Sequence, residues 1–207
     1  PFRGLAPFDE AHTSVFFGRS TMIKRLAARL RSAAADGFPL VFVLGASGSG
    51  KSSLVRAGLI THLRIAGVTE PLVARWRRAV TTPDSLSRLG EGNLLAGLVA
   101  LLQGDGVLPE LKQGDFANPE QLASLLAASP ESATVSLLGA LDRWASAVQT
   151  DEGHAQRPVT GLILVLDQFE EIFKLEDAER AALARAVSAL VETGRVWLVA
   201  TMRSDFY

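Results

Sequence analysis

The chain has no cysteine and a single tyrosine, and its 21 Lys and Arg almost cancel its 22 Asp and Glu, leaving a net charge of -1. The missing cysteine removes disulfides and thiolate metal sites, so any metal must be held by oxygen or histidine. Balanced charge gives no global field for nucleic acid or an anionic membrane; composition predicts neither partner, and any anion must be bound by local geometry. Long apolar runs are lacking as well. Stretches such as Leu40–Leu44 and Leu162–Leu166 fall far short of the roughly 20 residues that span a bilayer. Arg3, Asp9 and Glu10 spoil a signal peptide, and a cytoplasmic chain is the expectation. Histidine is scarce: His12, His62 and His154 lie far apart without ligand spacing. What is present, 48% hydrophobic residues over 207 positions, suffices for one domain with a sizeable core.

Along the chain, strand and helix patterns alternate. Ser20 is placed to cap a helix whose apolar positions are Ile23, Leu26, Ala27, Leu30 and Ala34, stopped by Gly37. Leu40–Leu44 is apolar at every position, which implies cover on both faces, as in a parallel sheet. A glycine-rich loop follows, then a helix over Lys51–Ala66 with Gly67 as its stop, and a second strand over Leu72–Val80. Thr82-Pro83-Asp84, Asn118-Pro119-Glu120 and Ser129-Pro130-Glu131 share one start signature: a capping side chain, proline at N1, an acid in the first turn. They predict three helices inserted over residues 82–150. A third strand, Gly161–Leu166, ends on Asp167; a helix over Asp177–Val191 and a fourth strand, Val196–Ala200, follow. The rhythm predicts a three-layer α/β/α fold with a mainly parallel sheet and a helical insertion.

Gly45-Ala46-Ser47-Gly48-Ser49-Gly50-Lys51-Ser52 fits G-x-x-x-x-G-K-[ST] in full, between an apolar strand and an amphipathic helix. This is the P-loop, or Walker A motif. Its glycines let backbone N–H groups turn inward around phosphate oxygens, Lys51 supplies a cation between the β- and γ-phosphates, and Ser52 offers a magnesium ligand, with Ser53 adjoining. Asp167, after a buried apolar strand, is placed as the second magnesium contact, the Walker B aspartate. Next to it, Glu170 and Glu171 are candidates to activate water. Glu170 is the preferred base, and Glu171 fits better as a solvated or first-turn charge. Arg203, at the end of the fourth strand, either senses the γ-phosphate or pairs with Asp205 at the surface. The one dense basic cluster, Arg75-Trp76-Arg77-Arg78, reads as a half-exposed strand with Leu72, Ala74 and Trp76 on one face and Arg75 and Arg77 toward water. Trp144 and Trp197 read as core.

With these motifs in order, the chain resembles the STAND class of P-loop ATPases and, more narrowly, the novel STAND NTPase 1 domain. Pro1–Phe8 and Phe16–Arg19 match the amino-terminal signature, Gly45–Arg56 the P-loop, Leu164–Phe173 the Walker B segment and Thr201–Tyr207 the closing motif. Where many relatives carry Glu after the Gly-Arg pair, this chain has Ser20. The resemblance implies that Phe17, Gly18 and Arg19, within an amino-terminal segment over residues 1–19, lie near adenine and ribose. It implies that Asp167 handles magnesium and that Arg203 is the γ-phosphate sensor. It further implies a sheet of order 5-1-4-3-2, placing Leu40–Leu44 at an edge of strands one to four, although its sequence reads as central.

The same resemblance implies one NTPase domain over residues 1–207 within a larger protein carrying a fused effector and a carboxyl-terminal repeat sensor, often WD-repeat propellers, with homo-oligomerisation on activation. The expected activity is that of a switch: ATP with magnesium favours an active arrangement and ADP a closed one. Three rivals stand beside it, of which a transporter-type ATPase is disfavoured because no Leu-Ser-Gly-Gly-Gln signature precedes the third strand. A small-molecule kinase could use the same loop, but no Arg-rich lid is recognisable and the tandem acids suit water activation. A scaffold that keeps ADP and never turns over is the third.

Overall fold

The computed structural model of the protein describes residues 18–113 and 118–206. The expectations for Phe16, Phe17, His12 and the Pro1–Phe8 signature lie outside the described residues, as does Tyr207. The first helix, α1 (Ser20–Ala35), buries Ala27 and Leu30. Arg19 holds the capping position, without a side-chain cap, and Ser20 is already helical. Strand β1 (Leu40–Gly45) leads into the glycine loop.

After the loop the chain is helical from α2 (Lys51–Ser53) through a π-helical segment, Leu54–Leu59, to α3 (Ile60–Leu63). This is shorter than the single helix expected to Ala66, and it is widened in the middle. Strand β2 (Arg75–Thr81) pairs only from Arg75 onward. Then come α4 (Pro83–Leu89), α5 (Leu94–Leu102), α6 (Pro119–Ala128) and α7 (Pro130–Glu152). Strand β3 (Thr160–Leu166), α8 (Asp177–Glu192) and β4 (Val196–Arg203) complete the order.

The three Pro-N1 starts each open a helix, but their caps differ. Thr82 Oγ1 accepts from Ser85 N at 3.1 Å, and Asn118 Oδ1 accepts from Glu120 N at 2.8 Å. Ser129 makes no such cap; its hydroxyl meets that of Ser132 at 2.7 Å. Helix α5 begins without proline or acid, on Asn93, whose Oδ1 accepts from Leu95 N at 3.0 Å.

Among the described residues the strands form one all-parallel sheet in the order β1-β4-β3-β2. Apolar side chains cover both faces. On one lie Ala27, Leu30, Val55, Leu59 and Leu63, packed on Ile163, Val165 and Val199 around Trp76 and Trp197. The two indoles meet edge to face at 4.8 Å. On the other, α4 to α8 bury Leu98, Leu137, Leu141 and Leu190 against Leu162, Leu164 and Leu198. Both central strands are therefore apolar on both sides, as the continuous runs in β3 and β4 require. Trp144 packs at the margin of the second cluster.

β1 lies at the edge that the resemblance implies, though its apolar run reads as central, and β2 departs from its half-exposed reading. β1 is an edge strand with Phe42 45% and Leu44 39% exposed among the described residues, so its unbroken apolar run does not translate into cover on both faces there. On β2, Arg75 and Arg77 do not simply reach into water. Arg75 Nη2 donates to Glu152 Oε2 at 2.6 Å, and Arg77 Nη2 to Glu110 Oε1 at 2.8 Å, with the Arg77 guanidinium 4.5 Å above the Trp144 ring. The arginines tie the edge strand to the helices that follow it.

Candidate functional site

A parallel sheet directs the carboxyl ends of its strands to one side, where ligands of open α/β folds bind. The glycine loop after β1, Asp167 after β3 and Arg203 at the end of β4 all meet there. In the loop, Gly48 and Gly50 have φ of +72° and +83°, values that side chains with a Cβ rarely adopt. A Cβ on Gly45 would stand 3.0 Å from Ser49 Oγ and 3.6 Å from Lys51 Cδ. Gly48 and Gly50 are thus needed for the path of the loop, and Gly45 leaves room for the Ser49 hydroxyl.

Lys51 Nζ donates to the carbonyls of Gly45 at 2.7 Å and Ala46 at 2.8 Å, spanning the loop with its charge. Ala46, Ser47, Gly48 and Ser49 are exposed. Arg19 reaches the loop from the start of α1, its Nη2 donating to Ser49 O at 3.0 Å. Between α1 and β1 lies a hollow of about 700 Å³ lined by Gly18, Arg19, Met22, Leu26, Leu44 and Leu54 among others.

Asp167 is 1% exposed and fully partnered. Its Oδ1 accepts from Ser52 Oγ at 2.8 Å, from Thr201 Oγ1 at 2.5 Å and from the Gln168 N–H at 3.2 Å. Its Oδ2 accepts from Arg56 Nη2 at 2.7 Å. Gln168 adopts a left-handed φ of +52°, which turns the chain sharply after the strand, and its N–H donates to Asp167 Oδ1 and to Thr201 Oγ1, 3.1 Å away. Ser52 and Asp167 are legible as site residues in the sequence; Arg56 and Thr201 as partners of Asp167 are not. The register offered a signal for Thr201: Leu166 pairs with Ala200, so the next residues, Asp167 and Thr201, come side by side.

The two glutamates part company. Glu170 Oε2 accepts from the Arg203 N–H at 3.3 Å, on the β4 side. Glu171 Oε2 accepts from the Asp84 N–H at 2.9 Å, at the start of α4. Glu171, half-buried in the first turn of the 3-10 helix Phe169–Lys174, as its reading as a first-turn charge expects, is tied to the start of α4. Both line a cavity of about 380 Å³ with Gln168, Phe173, Arg203 and Phe206.

Arg203 pairs with Asp205, Nε to Oδ1 at 3.0 Å with a second bond from Nη2 to Oδ2, and lies 5.4 Å over the Phe206 ring, which stacks on Phe173. The hydrogen bond from Arg203 holds the Asp205 carboxyl below its ordinary range, and Asp205 in turn raises the guanidinium. Of the two readings of Arg203, the pairing with Asp205 is the one observed.

The basic cluster on β2 lies in the packed edge described above, and His154 joins it through Glu152 Oε2 at 2.6 Å. Among the described residues no group of three His, Asp or Glu could enclose a metal with protein ligands alone, and no helix is long and apolar enough to cross a membrane.

Over residues 1–207 the chain matches the novel STAND NTPase 1 family. No curated protein matches it.

Proposed function

Because the chain belongs to the novel STAND NTPase 1 family, we propose that it binds ATP with magnesium and hydrolyses it slowly, as the switch domain of a bacterial signalling or defence protein. The observation that carries this is the 2.8 Å hydrogen bond from Ser52 Oγ to the buried Asp167 carboxylate. It joins the loop that would hold phosphate to the acid that would hold a metal, across 115 residues of chain.

The donor set fits magnesium: a hydroxyl and a carboxylate are hard oxygen ligands, and with so few from the protein the remaining positions fall to phosphate and water. A bound magnesium would neutralise charge on the β- and γ-phosphate oxygens. The other roles belong to the chain. Backbone N–H groups of Gly45 to Ser53 wrap the phosphates, and Lys51 Nζ exchanges the carbonyls of Gly45 and Ala46 for phosphate oxygens. Glu170, lining the cavity with Gln168 and Arg203 and held by a long hydrogen bond from the Arg203 N–H, accepts the proton of the attacking water. Glu171 is occupied at the start of α4, which supports Glu170 over it. Arg203 reads the γ-phosphate by leaving Asp205. The hollow beside α1 accepts the base, with Phe17, Gly18 and Arg19 around adenine and ribose.

In this switch the domain spans residues 1–207, with the helices over residues 82–150 as its insertion. A fused effector provides the output and a carboxyl-terminal repeat sensor the input, with self-association in the ATP state and a cytoplasmic setting. The test is phosphate release by the full-length protein. Glu170→Gln keeps size and hydrogen bonding but cannot take a proton, so ATP should still bind while turnover falls about 100-fold. Wild-type turnover in Glu170→Gln with a dead Glu171→Gln would reverse the choice of base. Unchanged turnover in both would remove the hydrolytic mechanism altogether.

A further inference from the structure

Arg56 takes no part in the chemistry above, yet it touches the most buried acid of the site. Its Nη2 donates to Asp167 Oδ2 at 2.7 Å, while Ser52, Thr201 and the Gln168 N–H all converge on Oδ1. Asp167 is 1% exposed and Arg56 28%. An arginine with that access to water could turn outward. Instead its Nε is buried without a hydrogen-bond partner among the described residues, a cost borne while Nη2 stays on the carboxylate. The helix itself departs from α geometry around it: Arg56 lies inside the π-helical segment Leu54–Leu59. A π insertion rotates the following side chains relative to a plain α-helix, and such segments are frequent at functional sites.

We propose that Arg56 is a positioning residue of the nucleotide site, the resident counter-cation of Asp167, which fixes the carboxylate against Ser52 and moderates its attraction for a divalent cation. This rests on the reading of Ser52 and Asp167 as the magnesium contacts. The charge argument is short. A buried carboxylate alone is a strong site for a dication but is costly to keep charged. Paired with a guanidinium, it is stable, and the pair carries no net charge toward the metal. The guanidinium and the dication then share one carboxylate and repel one another, so the site exchanges its metal nucleotide more readily than an unpaired aspartate would.

The experiment is thermal melting of the full chain with ADP across a magnesium titration, read as the magnesium concentration giving half of the ADP-dependent rise in Tm. Arg56→Gln should melt lower than wild type without magnesium, yet its half-point should fall about tenfold, because the repelling charge is gone. Arg56→Lys keeps the charge and should keep the wild-type half-point. A residue that only packs predicts the reverse: Arg56→Gln melts lower by the same amount with and without magnesium, at an unchanged half-point, and that result overturns the proposal. Should Arg56→Gln alone not fold, the double variant with Asp167→Asn, which removes both charges, should melt close to Asp167→Asn by itself; a double variant that also fails to fold counts against the pairing. A wild type whose Tm does not respond to magnesium and ADP would instead remove the nucleotide reading, and the proposal with it.

Discussion

The glycine loop and Asp167 lie one hydrogen bond apart and are built in opposite ways. The loop is exposed, and its cation rests on two carbonyls of its own backbone. The acid is buried and held by groups from the helix after the loop, from β4 and from the turn that follows it. The difference separates two kinds of function. A group that must meet a ligand is left on local contacts that a ligand can replace, whereas a group that must keep its place is fixed from several directions. Mutations should divide along the same line, with losses of folding stability at the acid and losses of binding at the loop.

The largest effect is expected at the acid. Asp167→Ala leaves the hydroxyls of Ser52 and Thr201 and the Arg56 guanidinium without their acceptor, and should lower folding stability by about 3 kcal/mol, discounted because Arg56 can still reach water. Denaturant melts of the nucleotide-free chain measure this; a loss no greater than that of a surface substitution would break the comparison. Lys51→Ala should do the opposite. It removes the main side-chain cation from the phosphates and should weaken ATP binding by about 2 kcal/mol, as for a charge-assisted hydrogen bond, while denaturant melts stay near wild type. Equal losses of stability in the two variants would dissolve the distinction.

A smaller effect is expected in base choice, because the loop and the metal contacts recognise any nucleoside triphosphate. ATP should bind more tightly than GTP, and Arg19→Ala should narrow the gap. Equal calorimetric affinities that no change at Phe17 or Arg19 alters would detach that segment from the base.

The smallest effect lies at the far end of β2, outside the site. The hydrogen bond from Arg75, then that from His154, hold the Glu152 carboxyl below its ordinary range. Its folded value is lowered, so its contribution is present above the unfolded carboxylate range and fades as pH falls through the folded value. Glu152→Gln should therefore lower Tm slightly at neutral pH, and the difference should close in acid below that range. A difference that grows on acidification would contradict the sign.

The same division explains what could be read from sequence. The loop is a contiguous motif whose glycines, lysine and serine act within eight residues, and Asp167 ends a short apolar run that reads as a buried strand. Both were legible because their signals are local. The partners of Asp167 were not. Arg56 reaches it across 111 residues and Thr201 across 34, and the π segment that carries Arg56 has no signature that separates it from an ordinary amphipathic helix. Helix α5 escaped for a related reason: it is apolar at nearly every position, so it shows no stripe, and it lacks the proline and acid that marked its neighbours. The arginines of β2 read as facing water because their partners are distant in the chain, 77 residues for Glu152 and 33 for Glu110. In β1, continuous apolarity suggested a central strand, whereas the order β1-β4-β3-β2 agrees with the edge position implied by the resemblance. Periodicity reports the faces of a strand, and its neighbours are set by topology.

The most direct measurement is a calorimetric titration of ATP into the full chain, with magnesium and again with a chelator in its place. Ser52 and Asp167 acting as one metal-nucleotide site with the loop predict saturable binding to a single site in magnesium and clearly weaker binding with the chelator. Equal affinities in the two conditions, or no binding in either, would contradict that claim.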